Sequence, residues 1–140
     1  LTAPKRCEQI FPHLKWAAYL NYWDGPSAGE RPSAYIIILA PANATKFHHI
    51  DTGIAAQTML LGATELGFGG CMMASLDKTS IQAAFFLPPE LEISLVIALG
   101  KPVETVVIED VTDQDDIEYW RDDQGVHHVP KRTLSELILE

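Results

Sequence analysis

Residues 51–77, DTGIAAQTMLLGATELGFGGCMMASLD, carry few polar positions, and the rest of the chain reads as packing around them. Gln57, Thr58, Thr64 and Glu65 are the polar exceptions. Spacing by seven sets Gln57 below Thr64 and Thr58 below Glu65, so the polar residues form one narrow strip on a long helix. A helix apolar over most of its surface is predicted to be buried. Asp51 is placed to cap its N-terminus, where a carboxylate accepts from the free amides of the first turn. Gly67 can close it in a left-handed conformation without a Cβ penalty. Small residues follow, with residues 69–75 predicted as a strand through a glycine-rich corner.

Upstream, residues 4–23 show helical spacing in two pieces. Pro4 suits a first turn and Pro12 interrupts the run, predicting a break near Phe11. From His13 onward, Trp16, Leu20 and Trp23 recur at helical spacing, as an aromatic core stripe or as a wall facing a substrate. Residues 24–32, DGPSAGERP, have the glycine and proline content of an exposed loop. Residues 34–40, AYIIILA, form an apolar β-branched run, and a strand apolar on both faces is normally central and covered by helices. The connection PANATKFHHI contains His48 and His49, which read as solvated loop histidines because no carboxylate or cysteine stands at metal-ligand spacing.

Downstream, Asp77 is placed to cap a helix over 78–87, with Ile81 and Phe85 inward and Pro88 and Pro89 ending it. Residues 93–99, ISLVIAL, give a second buried strand. Residues 106–111 read as an extended arm, and 117–121 and 126–129 flank DDQG as a hairpin. Thr133 with Glu136 is a capping-box signal for a last helix over 134–139. Taken locally, strand, helix, strand, helix, strand suggests an α/β layer with parallel pairing.

Composition narrows the function classes. At 140 residues the chain suits a single domain, 1–140, with 103–140 as an extended C-terminal arm. A formal charge of −9 argues against non-specific nucleic-acid binding, and no apolar run approaches a membrane span. Two cysteines, Cys7 and Cys71, without metal spacing fit a reducing cytoplasm better than a stapled secreted scaffold. Cys71, following glycine in a strand with no nearby histidine, reads as an inert core thiol. The chain starts at Leu1, and its first residues resemble the inside of a domain, which implies a preceding segment.

Motifs for common chemistries are absent: there is no GxSxG, GxxxxGK[ST], HExxH or CxxC. LGFGG has the glycine pair of a close backbone approach, but it lies between a helix and a strand. A dinucleotide fingerprint has the reverse order, so that a helix N-terminus faces the pyrophosphate.

Several blocks together resemble the nitroreductase family of flavin enzymes. GIAAQTMLLGATELGFGGCMMASLDK, the proline-ended helix, ISLVIALG and the following KP are similar to a family pattern of GIAAQNLLLAATALGLG, CWIGAF, a helix ending in LPE and a strand ending in GYP. Asp51, Gly53, Ala55, Ala56, Gln57, Leu60, Leu61, Ala63, Leu66, Gly67, Gly69 and Cys71 follow it. FPHLKWAAYLNYW and YWRDDQGVHHVPKRTLSELIL resemble one bacterial branch, so the likeness runs over essentially the whole chain.

The resemblance implies an α+β, three-layer fold with a mostly antiparallel central sheet flanked by helices, in place of parallel pairing. It implies a homodimer in which long helices pack together and C-terminal arms exchange, with FMN bound between subunits. It implies hydride transfer from NADH or NADPH, through flavin, to a nitro, quinone or similar small-molecule acceptor. Met73, Ala74 and Ser75 match the stretch passing beside the flavin ring, and Lys131 and Arg132 match a basic pair meeting the flavin phosphate. No catalytic side chain is implied, because the cofactor supplies the chemistry. The family's N-terminal Arg-Ser-Arg-type phosphate motif and its SxxNxQPW-like segment have no counterpart here. A truncated, non-catalytic dimer module without flavin is therefore the alternative.

Overall fold

A computed structural model describes residues 1–111 and 117–138; the acidic residues 112–116 and the predicted end of the last helix lie outside the described residues. The chain divides into two compact units, one of residues 1–16 and 25–102, the other of residues 17–24 and 103–140.

The first unit is built on an antiparallel three-stranded sheet. Its strands are β1 (Ala34–Pro41), β2 (Gly69–Met73) and β3 (Leu91–Gly100), in the order β1-β3-β2. Tyr35, Ala98 and Cys71 stand side by side in this register, as do Ile37, Val96 and Met73. Alternation along each strand sends these residues to one face. There all of them but the exposed Cys71 meet Ile10 and Ile81, from the helices α1 (Pro4–Ile10) and α3 (Lys78–Ala84), in one cluster. The long helix α2 (His48–Glu65) lies over the opposite face, where Leu60 approaches Gly70 and Leu99. Helices on both faces of an antiparallel sheet give the three-layer α+β arrangement, and the parallel pairing suggested by element order alone does not occur in this sheet.

Several local expectations change. The second helical piece of residues 13–23 is absent. A short 3₁₀ turn, Phe11–His13, leads instead into extended chain at Leu14, which forms a bridge with Leu76. Lys15 N donates to Ser75 O at 3.0 Å and Asp77 N to His13 O at 2.9 Å. These tertiary backbone bonds outweigh a modest aromatic helix propensity, and Ala17 follows at φ +35°. Residues 25–32 form the predicted loop, with Gly25 at φ +107° against the Trp16 ring.

β3, not β1, is the central strand. β1 is apolar on both faces because the sheet is covered on both faces, and that pattern does not fix its place in the order. Asp51 does not cap α2. The helix begins three residues earlier, with Phe47 at the cap position, and Asp51 sits in its first turn. A carboxylate there still complements the helix dipole. Asp77 does cap α3, accepting from Ser80 N at 3.0 Å. That bond, with the Ser80 hydroxyl, holds its carboxyl below the usual range. α3 ends at Ala84, short of the expected 87, because Phe86 takes φ +52° ahead of Pro88 and Pro89.

The burial predicted for α2 is realised on one side only. Ala56 is its sole fully buried residue, while Ile54 and Leu61 are 62% exposed and Leu66, just past its end, is 74% exposed. Gly67 closes the helix at φ +76°, as expected.

The second unit has its own small sheet of β4 (Val106–Asp110), β5 (Trp120–Arg121) and β6 (His127–Lys131), in the order β4-β6-β5. β6 runs parallel to β4 and antiparallel to β5. The hairpin predicted at DDQG joins β5 and β6, with Gly125 at φ +80°. The Asp122 carboxylate accepts from Gln124 N at 2.9 Å and Val126 N at 2.8 Å. The helix α4 (Leu134–Leu137) follows with its capping box, Thr133 N donating to Glu136 Oε2 at 3.1 Å.

Candidate flavin site

Met73, Ala74 and Ser75 close β2. Met73 is buried, so its side chain belongs to the core and only its backbone can serve a ligand. Ala74 and Ser75 are exposed, and the Ser75 carbonyl is already taken by Lys15 N. The corner thus offers a small exposed side chain on a strand end anchored by core packing and by the Leu14–Leu76 bridge. That suits the approach of a flat ring, because nothing bulky projects from Ala74.

The glycine pair before it has a different task. A Cβ on Gly70 would fall 2.7 Å from Ala98 O, Leu60 Cδ2 and Leu99 Cδ2, so Gly70 lets α2 and β3 close on β2. Gly69 lies against Pro102 in the same way, at 3.2 Å. The close approach expected of LGFGG is to the protein itself.

Lys131 and Arg132 are exposed at the end of β6. With Tyr19, Val111, Tyr119 and Pro130 they line a cleft of about 450 Å³ in the second unit. Among the described residues neither cation is in an ion pair. Two uncommitted cations beside a phenol-lined cleft are a donor set suited to a phosphate. Tyr19 and Tyr119, which pack edge to face at 5.0 Å, went unnoticed in the sequence because they are 100 residues apart. The predicted ring-side residues and phosphate-side residues therefore lie in separate units.

The His48 and His49 rings stand 3.7 Å apart and His48 Nδ1 is 2.9 Å from Thr45 O, but among the described residues no three metal-ligating side chains converge. Cys71 is exposed, which corrects the core-thiol reading: its strand is at the sheet edge, where β3 covers it from one side only. Tyr35 borders a cleft of about 390 Å³ with Cys7 and Arg31, its hydroxyl buried without a partner among the described residues. Burial, then the neighbouring Cys7, push its phenol up to about 12. No helix among the described residues is long and apolar enough to cross a membrane.

Known proteins place this arrangement. The solved structure of a nitroreductase family protein from Clostridium difficile 630 is similar, with TM-score 0.52 and 19% identity over 77% of this chain and 59% of that one. An FMN-dependent nitroreductase from Clostridium difficile R20291 gives 0.48 at 21% identity, covering 62% of this chain and 54% of that one. A nitroreductase family protein from Clostridium novyi NT gives 0.46 at 23%, covering 75% and 56%. The chain thus spans under two-thirds of the length of each. No curated protein sequence matches. The model of the nitroreductase family matches residues 6–101, which takes in β1 to β3, α2, α3, most of α1 and the Met73–Ala74–Ser75 corner, and stops before Lys131. With more than half of its length matched, the chain belongs to the nitroreductase family.

Proposed function

We propose that this chain provides the core of an FMN-dependent oxidoreductase that takes hydride from NADH or NADPH and reduces a nitro, quinone or similar acceptor. The observation carrying this reading is the family match over residues 6–101, which includes the strand end at Ala74. Bound flavin would supply the redox chemistry at its ring. The backbone of Met73, Ala74 and Ser75 orients the ring edge, and its amides favour negative charge developing there. Lys131 and Arg132 hold the phosphate by charge-assisted hydrogen bonds. No acid or base side chain is assigned.

The working form is a homodimer. Ile54 and Leu61, seven residues apart on α2, and Leu66 just beyond its end are large apolar side chains left exposed, and covering such side chains favours association. A second α2 of the same kind is the partner that fits them, and exchange of the C-terminal arms would bring the basic pair of one subunit to the corner of the other.

The test is anaerobic reconstitution with FMN, then mixing with NADH or NADPH and afterwards with a quinone. Bleaching of the flavin band by the nicotinamide, and its return with the quinone, is expected. A protein that takes up no FMN, or whose bound FMN is not bleached by either nicotinamide, contradicts the reading and favours the non-catalytic dimer module.

A further inference from the structure

His128 lies at the centre of a charged cluster that the flavin reading does not use. It stands in the middle strand of the second unit's sheet, and each neighbouring element presents a group to it. From β4, Glu109 Oε1 lies 2.5 Å from its Nδ1. From the β5–β6 turn, Asp122 Oδ2 lies 3.5 Å from its buried Nε2, within ion-pair reach of a nitrogen that makes no hydrogen bond among the described residues. From β5, the Trp120 ring stacks on the imidazole at 4.0 Å and 4°. Alternation along β6 sends His127 to the other face. There it meets Glu104, which also bonds Arg121, at 3.2 Å.

A neutral imidazole has one N–H and can donate to one carboxylate only; donating to two needs a proton on each nitrogen. The indole face stacked on the ring favours the cation as well. We propose that His128 is a proton-operated clamp: doubly protonated, it ties Glu109 of β4 to Asp122 of the β5–β6 turn across β6, and on losing a proton it releases one tie and loosens the sheet.

The hydrogen bond to Glu109 raises the His128 pKa above its ordinary range, with partial burial opposing it. The backbone amide of Val126 holds the Asp122 carboxyl below its own range. A raised imidazole pKa stabilises the sheet fully below the unfolded value, about 6.5, and that contribution is lost as pH rises through the folded value. The contribution of Asp122 itself is lost only as pH falls through its lowered pKa.

The test uses the intact chain without flavin. The His128 ring is titrated by NMR in wild type, in Glu109→Gln and in Glu104→Gln, and amide exchange of residues 106–110 is followed across the titration, corrected for intrinsic rates. Wild type is expected to titrate above Glu109→Gln, with Glu104→Gln unchanged. Protection of β4 should fall as pH rises from the unfolded value through the wild-type midpoint and level off above it, the total loss being about tenfold for each unit by which that midpoint exceeds the unfolded value. An unchanged midpoint in Glu109→Gln, or β4 protection flat through the titration, overturns the clamp. If Glu109→Gln does not fold, the wild-type exchange profile decides alone. A consequence resting on the proposed function is that FMN affinity weakens over the same pH range, because β6 ends at Lys131. Failure of that arm with an intact titration would count against the phosphate role and leave the clamp standing.

Discussion

Gly70→Ala tests how the long helix is seated on the sheet. Its new Cβ would lie 2.7 Å from Ala98 O, Leu60 Cδ2 and Leu99 Cδ2. Relaxed contacts between carbons sit near 3.5–4.0 Å, so the overlap is about 1 Å on three sides. The two leucine tips can swing, but Ala98 O is backbone of the central strand, and Ala98 is 2% exposed with no free space to move into. Either β2 shifts on β3 or α2 lifts. Overpacking of this kind destabilises by about 1–3 kcal/mol. For a chain of this length each kcal/mol is worth about 4 °C in Tm. Gly67→Ala is the comparator: nothing lies within 4 Å of its Cβ, so its loss comes only from φ +76°, about 1–2 kcal/mol. Adding Leu60→Ala should separate the two. It removes one colliding methyl in the Gly70→Ala background and none in the Gly67→Ala background, so only the first pair shows coupling, of about 0.5–3 kcal/mol. Urea unfolding followed by far-UV circular dichroism gives each value from the midpoint at constant slope. A Gly70→Ala protein as stable as wild type, or equal coupling in both pairs, would refute this seating of α2.

Charging the exposed side of α2 with Ile54→Glu and Leu61→Glu should convert a dimer to a monomer in sedimentation, with helical signal retained; a variant that stays dimeric moves the interface elsewhere. Ala74→Phe should expel FMN and leave the dimer intact, read from flavin absorbance and sedimentation together, and unchanged flavin content would mean the ring lies elsewhere. Asp77→Ala should lower Tm near neutral pH and narrow its gap to wild type in acid. The Asp77 carboxyl is depressed in the folded state, so its contribution is present above the carboxylate range and lost as pH falls through its lowered pKa. A gap that does not change with pH would exclude the charged cap.

Much of the first unit was legible because its signals are local. The β-branched run at 34–40, the Asp77 cap and the Gly67 stop each act through nearest neighbours, and each stands where expected. What failed depended on distant partners. Residues 13–15 spend their backbone hydrogen bonds on 75–77, some 60 residues away, and no helical spacing of tryptophans reports that. The start of α2 was misplaced because Asp51 is a good cap by type, while the helix extends back through His48. Strand order could not be read from β1, since double-sided burial describes the layer and not the position within it. The candidate corner was legible only through resemblance. The cleft at Lys131 and the cluster around His128 were not, because they gather Tyr19, Tyr119, Glu109 and Asp122 from separate segments.

The central claim is that this chain's own residues grip FMN, with Lys131 and Arg132 on its phosphate. Titrating wild type and Lys131→Ala/Arg132→Ala with FMN and with riboflavin, by flavin fluorescence, tests it most directly. Each charged hydrogen bond lost is worth about 1.5–3 kcal/mol, so losing both should weaken FMN binding by at least about a hundredfold while riboflavin binding is unchanged. Equal loss for both ligands, or none for FMN, would contradict the account.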